Sequence, residues 1–180
     1  MIGRVLRALL DSPAAGPLPP VAPETVTALN ARLAAAAQAR LGRSLALLHV
    51  PTGGCNGCEL ELRALNGIAY DLERLGLRFV AAPAEADVLL ATGPLTRAMR
   101  EALLLALDGM AEPRWVVAVG DCAVDGGVFK GSYAVLGGVT QTVPVDLLVR
   151  GCPPSPLQVL AALTALVETH AGRAVQLLLT

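Results

Sequence analysis

The chain has 180 residues, of which 54% are hydrophobic, 16% charged and only 3% aromatic, with a formal net charge of -1. That length supports one domain whose core stands without disulfide staples, and the near-neutral charge offers no basic face to nucleic acid. Pro, Gly or a charge breaks every apolar run before the ~18 residues that a membrane span requires, so the excess apolar surface is expected to be covered by partner subunits.

Along the chain, residues 1–10 set Ile2, Val5, Leu6, Leu9 and Leu10 on one helical stripe with Arg4 and Arg7 away from it. This predicts a short docking helix, against either a membrane interface or a neighbouring subunit. The opening lacks the charged, apolar and small-residue succession of an export signal, so the thiols are expected to stay reduced in the cytoplasm. Pro13, Pro17, Pro19, Pro20 and Pro23 predict a linker over residues 12–23. A helix is predicted over Pro23–Leu41, with Val26, Leu29, Leu33 and Leu41 on one face and Gly42 as its stop. Residues 1–43 are thus expected to form an N-terminal helical extension with a Pro-rich linker, and residues 44–180 a single α/β domain.

From Ser44 onward, short apolar runs alternate with helical ones. Strands are predicted at Leu45–Val50, Phe79–Ala81, Val88–Thr92, Val116–Gly120 and Val145–Val149. Helices are predicted at Glu59–Asn66, at Thr96–Leu107 with Thr96 as N-cap, and at Pro156–His170 closed by Gly172. Such alternation predicts an α/β fold, an open parallel sheet with helices on both faces.

The four cysteines Cys55, Cys58, Cys122 and Cys152 lie in glycine-rich turns, PTGGCNGC, GDCAVDGG and RGCPP, that follow the first, fourth and fifth predicted strands. Ligands of an open parallel sheet bind outside the carboxyl ends of its strands, so the turns can converge on one edge. Four thiolates suit one 4Fe-4S cluster, and the turns supply N–H donors that stabilise thiolate and sulfide charge. A structural zinc ion takes the same donors, usually as two close pairs, whereas only Cys55 and Cys58 are close here. A redox Cys-x-x-Cys of thioredoxin type leaves Cys122 and Cys152 without a role. Glu59 rather than His follows Cys58, which excludes covalent haem.

The segments GGCNGCELEL (Gly53 to Leu62), GDCAVDGGVF (Gly120 to Phe129) and GCPPSP (Gly151 to Pro156), together with ADVLLATGPLT (Ala86 to Thr96), resemble one family from about Ser44 to Val167. It comprises the 20 kDa cluster subunit of respiratory complex I, the bacterial counterpart of that subunit, and the small subunits of membrane-bound, energy-converting nickel-iron hydrogenases. Complex I members carry adjacent cysteines, whereas the spacing Cys55-Asn56-Gly57-Cys58 resembles the hydrogenase branch, formate hydrogenlyase-type enzymes included.

The resemblance implies a flavodoxin-like domain in an oxidoreductase complex. Its Cys55, Cys58, Cys122 and Cys152 would hold one proximal 4Fe-4S cluster that relays electrons from a ferredoxin-like cluster subunit to a large catalytic subunit. Dihydrogen chemistry would belong to that large subunit, and the complex would sit with membrane-embedded subunits, this chain peripheral on the cytoplasmic side. The alternatives are a complex I-type quinone reductase module and a zinc-stabilised scaffold. Glu61 matches the family's motif carboxylate and is the candidate for coupling proton movement to reduction, against a plain helix-dipole carboxylate. Glu59 and Arg63 read as ordinary helix surface, and His49 and His170 as structural residues. Leu157 stands where many relatives carry an acidic residue.

Overall fold

The computed structural model describes residues 23–70, 72 and 77–178. The docking helix predicted over residues 1–10 lies outside the described residues, as does the linker up to residue 22. Helix α1 (Pro23–Leu41) has the bounds its pattern predicts, and Gly42 ends it with a φ of +66° and an N–H bonded to Gln38 O at 2.9 Å.

The chain continues through β1 (Ala46–Pro51), α2 (Gly57–Ala64), β2 (Arg78–Val80), β3 (Val88–Thr92), β4 (Leu95–Thr96) and α3 (Arg100–Asp108). It closes with β5 (Trp115–Val119), α4 (Asp121–Asp125), β6 (Val135–Gly137), β7 (Leu147–Val149) and α5 (Pro156–Leu178). Five strands form one parallel sheet in the order β2-β1-β3-β5-β7, and β4 pairs antiparallel with β6 apart from it. The order reverses between β1 and β3, the flavodoxin-like arrangement, and that reversal opens a crevice at the carboxyl ends of the strands.

Alternation along the strands divides the core into two layers. Leu47, Leu90 and Val117 face α1, α2 and α5, while Leu48, Leu89 and Val116 face the side covered by α3 and α4. β3 and β5 are buried at every residue, as central strands covered on both faces must be. α1 adds Val26, Leu33 and Ala37 to the first layer against Leu160, Leu163 and Val167 of α5. Each such leucine contributes roughly 1.5–3 kcal/mol by leaving water. Leu157 packs at the edge of this layer.

Two aspartates align the strand starts. Asp87 precedes β3, and its carboxylate accepts the Ala46 N–H at 2.9 Å and both Arg43 guanidinium nitrogens at 2.8 and 2.6 Å. Asp146 precedes β7 and accepts the Val116 N–H at 2.7 Å. Each also donates its own N–H to the neighbouring strand, Asp87 to Ala46 O and Asp146 to Val116 O. Register is thereby set by side chain and backbone together.

The structure departs from expectation at helix ends. α2 starts and stops two residues earlier than the predicted Glu59–Asn66. The Thr96 hydroxyl oxygen accepts the Met99 N–H at 3.3 Å, as a cap does, but its own N–H and hydroxyl donate to Thr52 O, at 3.0 and 2.9 Å, which holds the backbone extended in β4, and α3 begins only at Arg100. The last helix passes Gly172 and runs to Leu178, because an internal glycine costs only about 1 kcal/mol. Among the described residues, no helix is long and apolar enough to cross a membrane.

Candidate metal centre

β1, β5 and β7 each run directly into a cysteine loop, and the sheet order brings those loops side by side. Cys55, Cys58, Cys122 and Cys152 line a single cavity of about 80 Å³, with Gly54, Gly93, Asp121, Gly151 and Pro153 in its wall. All four are free thiols; Cys55 and Cys152 are exposed, Cys58 is half-buried and Cys122 is buried. Cys58 lies in the first turn of α2, which Asn56 opens with a left-handed φ of 69°, and Cys122 lies in the first turn of α4.

Backbone and side-chain bonds lock the loops to one another. Gly120 N–H donates to Val149 O at 2.7 Å, Asp121 N–H to Gly151 O at 2.9 Å, and Gly151 N–H to Asp121 Oδ1 at 3.2 Å, so the Cys122 and Cys152 loops are reciprocally tied. On the other side the Thr52 hydroxyl lies within 2.9, 2.9 and 3.2 Å of the Thr92, Gly93 and Pro94 carbonyls, which joins the Cys55 loop to the end of β3. Arg150 pairs with Asp125 at 3.3 Å and with Asp121 at 3.7 Å on the outer rim.

Gly120 is where the cavity admits no side chain. Its φ is +90°, and a Cβ there would stand 2.5 Å from Cys58 Sγ. Gly131 shares the left-handed backbone, with a φ of +79°, but faces open space. Gly120→Ala is therefore expected to destabilise by about 1–3 kcal/mol more than Gly131→Ala in denaturant unfolding, since only the first adds a collision. Equal losses in the two variants would contradict the close approach of Gly120 to the thiol.

The thiols repel charge as a set. Burial pushes the Cys58 thiol up to about 12, and the Glu59 carboxylate, Cys122, Cys55 and Cys152 push it the same way. Cys122 is also raised, mainly by burial, against a backbone N–H hydrogen bond from Val128 that lowers it. As neutral thiols the four need no counter-charge; to serve together as thiolate ligands they would have to lose their protons to a cationic centre, so metal binding would release protons. The donor set fits such a group.

Glu59 belongs to the site, contrary to its expectation as ordinary helix surface. It is only 9% exposed and lines the cysteine cavity. The reason lies in helix geometry: the inward face of α2 carries Leu62, and position 59 shares that face three residues earlier. Thr92, fully buried at the end of β3, donates its hydroxyl to Glu59 Oε1 at 2.7 Å, and His49 Nε2 lies 2.9 Å from the same hydroxyl oxygen. Burial lowers the His49 pKa, Glu59 acting against that shift and Arg63 with it. Glu61 is half-buried on α2 and is not among the residues lining the cavity, and Arg63 is exposed as expected. The one sequence signal for Glu59 is its spacing of three from the apolar Leu62 on α2; Thr92 has only its polarity in an otherwise apolar strand.

Residues 55–166, more than half of the chain, match the family model described as NADH ubiquinone oxidoreductase, 20 Kd subunit. The chain is similar to formate hydrogenlyase subunit 7 of Escherichia coli, 39% identical over 140 residues that cover 78% of this chain and 53% of that protein. It therefore spans about half the length of that relative. The probable membrane-bound hydrogenase subunit mbhJ of Pyrococcus furiosus is 38% identical over 128 residues, covering 71% of this chain and 77% of that one. Among solved structures, a chain of the membrane-bound sulfane sulfur reductase, an archaeal respiratory membrane complex, superposes with a TM-score of 0.64 at 28% identity over 76% of this chain and 73% of its own. The NiFeSe-hydrogenase of Dm. baculatum shares the fold, with a TM-score of 0.53 at 17% identity over 74% of this chain and 65% of its own. By sequence motif, fold and relatives alike, the chain belongs to the family of the NADH ubiquinone oxidoreductase 20 Kd subunit, a family of subunits of oxidoreductase complexes.

Proposed function

We propose that this chain is the electron-transfer small subunit of a membrane-bound, energy-converting hydrogenase complex of the formate hydrogenlyase type. Cys55, Cys58, Cys122 and Cys152 hold one 4Fe-4S cluster, and the observation that carries this reading is that four thiols from three separate loops line one cavity at the carboxyl edge of the sheet. When bound, the cluster supplies a one-electron carrier. The residues of the chain hold its irons, exclude water from the buried Cys122 side and fix the spacing of the loops. Bond-making belongs to a large catalytic subunit, with a ferredoxin-like cluster subunit as donor and membrane-embedded subunits anchoring the assembly to the cytoplasmic side of the membrane.

The arrangement of the thiols along the chain supports a cluster over zinc. A structural zinc ion usually draws its thiolates from two close pairs, whereas here only Cys55 and Cys58 are close and Cys122 and Cys152 come from two further loops.

A second reading, the cluster subunit of a complex I-type quinone oxidoreductase, draws on the description of the matching family model. Metal analysis of the complex co-purified with a tagged chain separates the two. Nickel together with iron, and dihydrogen-dependent reduction of the complex, are expected; iron without nickel would overturn the hydrogenase assignment in favour of the second reading.

A further inference from the structure

Among the described residues, Glu59 is the one carboxylate that lines both the cysteine cavity and a second, open cleft of about 240 Å³ whose wall includes His49, Arg63, Asn66 and Phe79. Its position is held from behind. Thr92 has a single hydroxyl hydrogen, and that hydrogen is directed to Glu59 Oε1. The 2.9 Å contact from His49 Nε2 to the same oxygen must then be a donation by the imidazole, which requires a proton on Nε2. The chain of bonds runs one way, from His49 through Thr92 to Glu59, and ends on a carboxylate beside the thiols.

We propose that Glu59 is a fixed negative charge in the wall of the cysteine cavity that lowers the reduction potential of the group held there, with Thr92 and His49 as the positioning residues that aim it. This rests on the reading of the four thiols as cluster ligands. A buried carboxylate in the cavity wall acts on its neighbours through a low-dielectric medium and is little screened by salt, so it opposes the arrival of an electron there. Arg63, on the same helix, is exposed, so water screens its positive charge. Glu101, exposed in the first turn of α3, is a carboxylate away from the cavity and serves as the control.

The test uses the assembled complex carrying the wild-type chain, E59Q, T92V, T92S or E101Q. Iron and sulfide content are measured first, then the midpoint potential by redox titration followed by electron paramagnetic resonance. E59Q is expected to favour the reduced state by about tenfold, a positive shift of about 59 mV for one electron. T92V, which releases the carboxylate without removing it, shifts the potential in the same direction by less, while T92S and E101Q keep the wild-type value. E59Q with full iron content and an unmoved potential would overturn the proposal. If E59Q fails to assemble, T92V against T92S decides, and equal potentials in that pair overturn it. A wild-type complex with no more iron and sulfide than a matched Cys122→Ser complex would overturn the ligand reading and this proposal together, whereas a full complement of iron with unmoved potentials overturns this one alone.

Discussion

Cys122→Ser and Cys152→Ser are each expected to abolish retention of the irons held at this chain's cysteine cavity, and with it electron transfer through the assembled complex, while the sheet still forms. The two cysteines stand on different loops, so each is needed to complete the quartet around the cavity. A serine hydroxyl is nearly isosteric with the thiol but is a hard donor that stays protonated, a poor ligand for iron bound with sulfide. The fold loses little. Cys152 is exposed, and at Cys122 the Val128 N–H that now faces sulfur would face a hydroxyl oxygen instead. Neighbouring Ala123 and Val124 keep α4 seated in the second core layer. Stability should therefore fall by no more than about 1 kcal/mol. Iron and sulfide analysis beside far-ultraviolet circular dichroism checks both halves; either variant with full iron and wild-type activity would remove its cysteine from the ligand set.

Asp87→Ala is expected to produce the largest loss of stability, about 3 kcal/mol. The carboxylate is 2% exposed and accepts three hydrogen bonds, two from Arg43 and one from the buried Ala46 N–H. Truncation leaves that N–H without its side-chain acceptor at the junction of the central strands, and it removes a charge-assisted, bidentate pair. Asp146 makes the same kind of bond, to Val116 N–H, but is itself exposed, so water replaces its carboxylate. Asp146→Ala should accordingly cost no more than about 1 kcal/mol. Urea denaturation of the two variants measures the contrast, and similar midpoints would show that burial of Asp87 does not decide the energetics of the sheet start.

Much of this architecture is legible in the residues because the physics there is local. Pro23 and Gly42 bracket α1, so both of its ends follow from sequence punctuation. β3 keeps its predicted bounds because Val88–Thr92 is an apolar run flanked by Asp87 and Gly93. The cysteine loops converge because their strands are brought to one edge by a parallel order that alternation implies. What escaped the pattern depends on distant partners. Thr96 reads as a helix cap until Thr52 O, 44 residues away, claims its N–H and hydroxyl. β4 and β6, of two and three residues, are too short to display any period. Glu59 reads as surface because the charges of the segment draw the eye, whereas the inward face of α2 is set by Leu62 and by the fold beneath it. Its partner Thr92 is separated by 33 residues, and no spacing rule links them.

The central claim is that four thiols from three loops grip one polynuclear iron-sulfur centre. Anaerobic purification of the complex, followed by iron and acid-labile sulfide analysis and by electron paramagnetic resonance of the reduced state, tests it most directly. Against a matched complex with the Cys122→Ser chain, the wild type should carry about four additional irons and four additional sulfides, with a paramagnetic signal on reduction that the variant lacks. Equal iron and sulfide in the two preparations, or zinc bound in their place by the wild type alone, would contradict it.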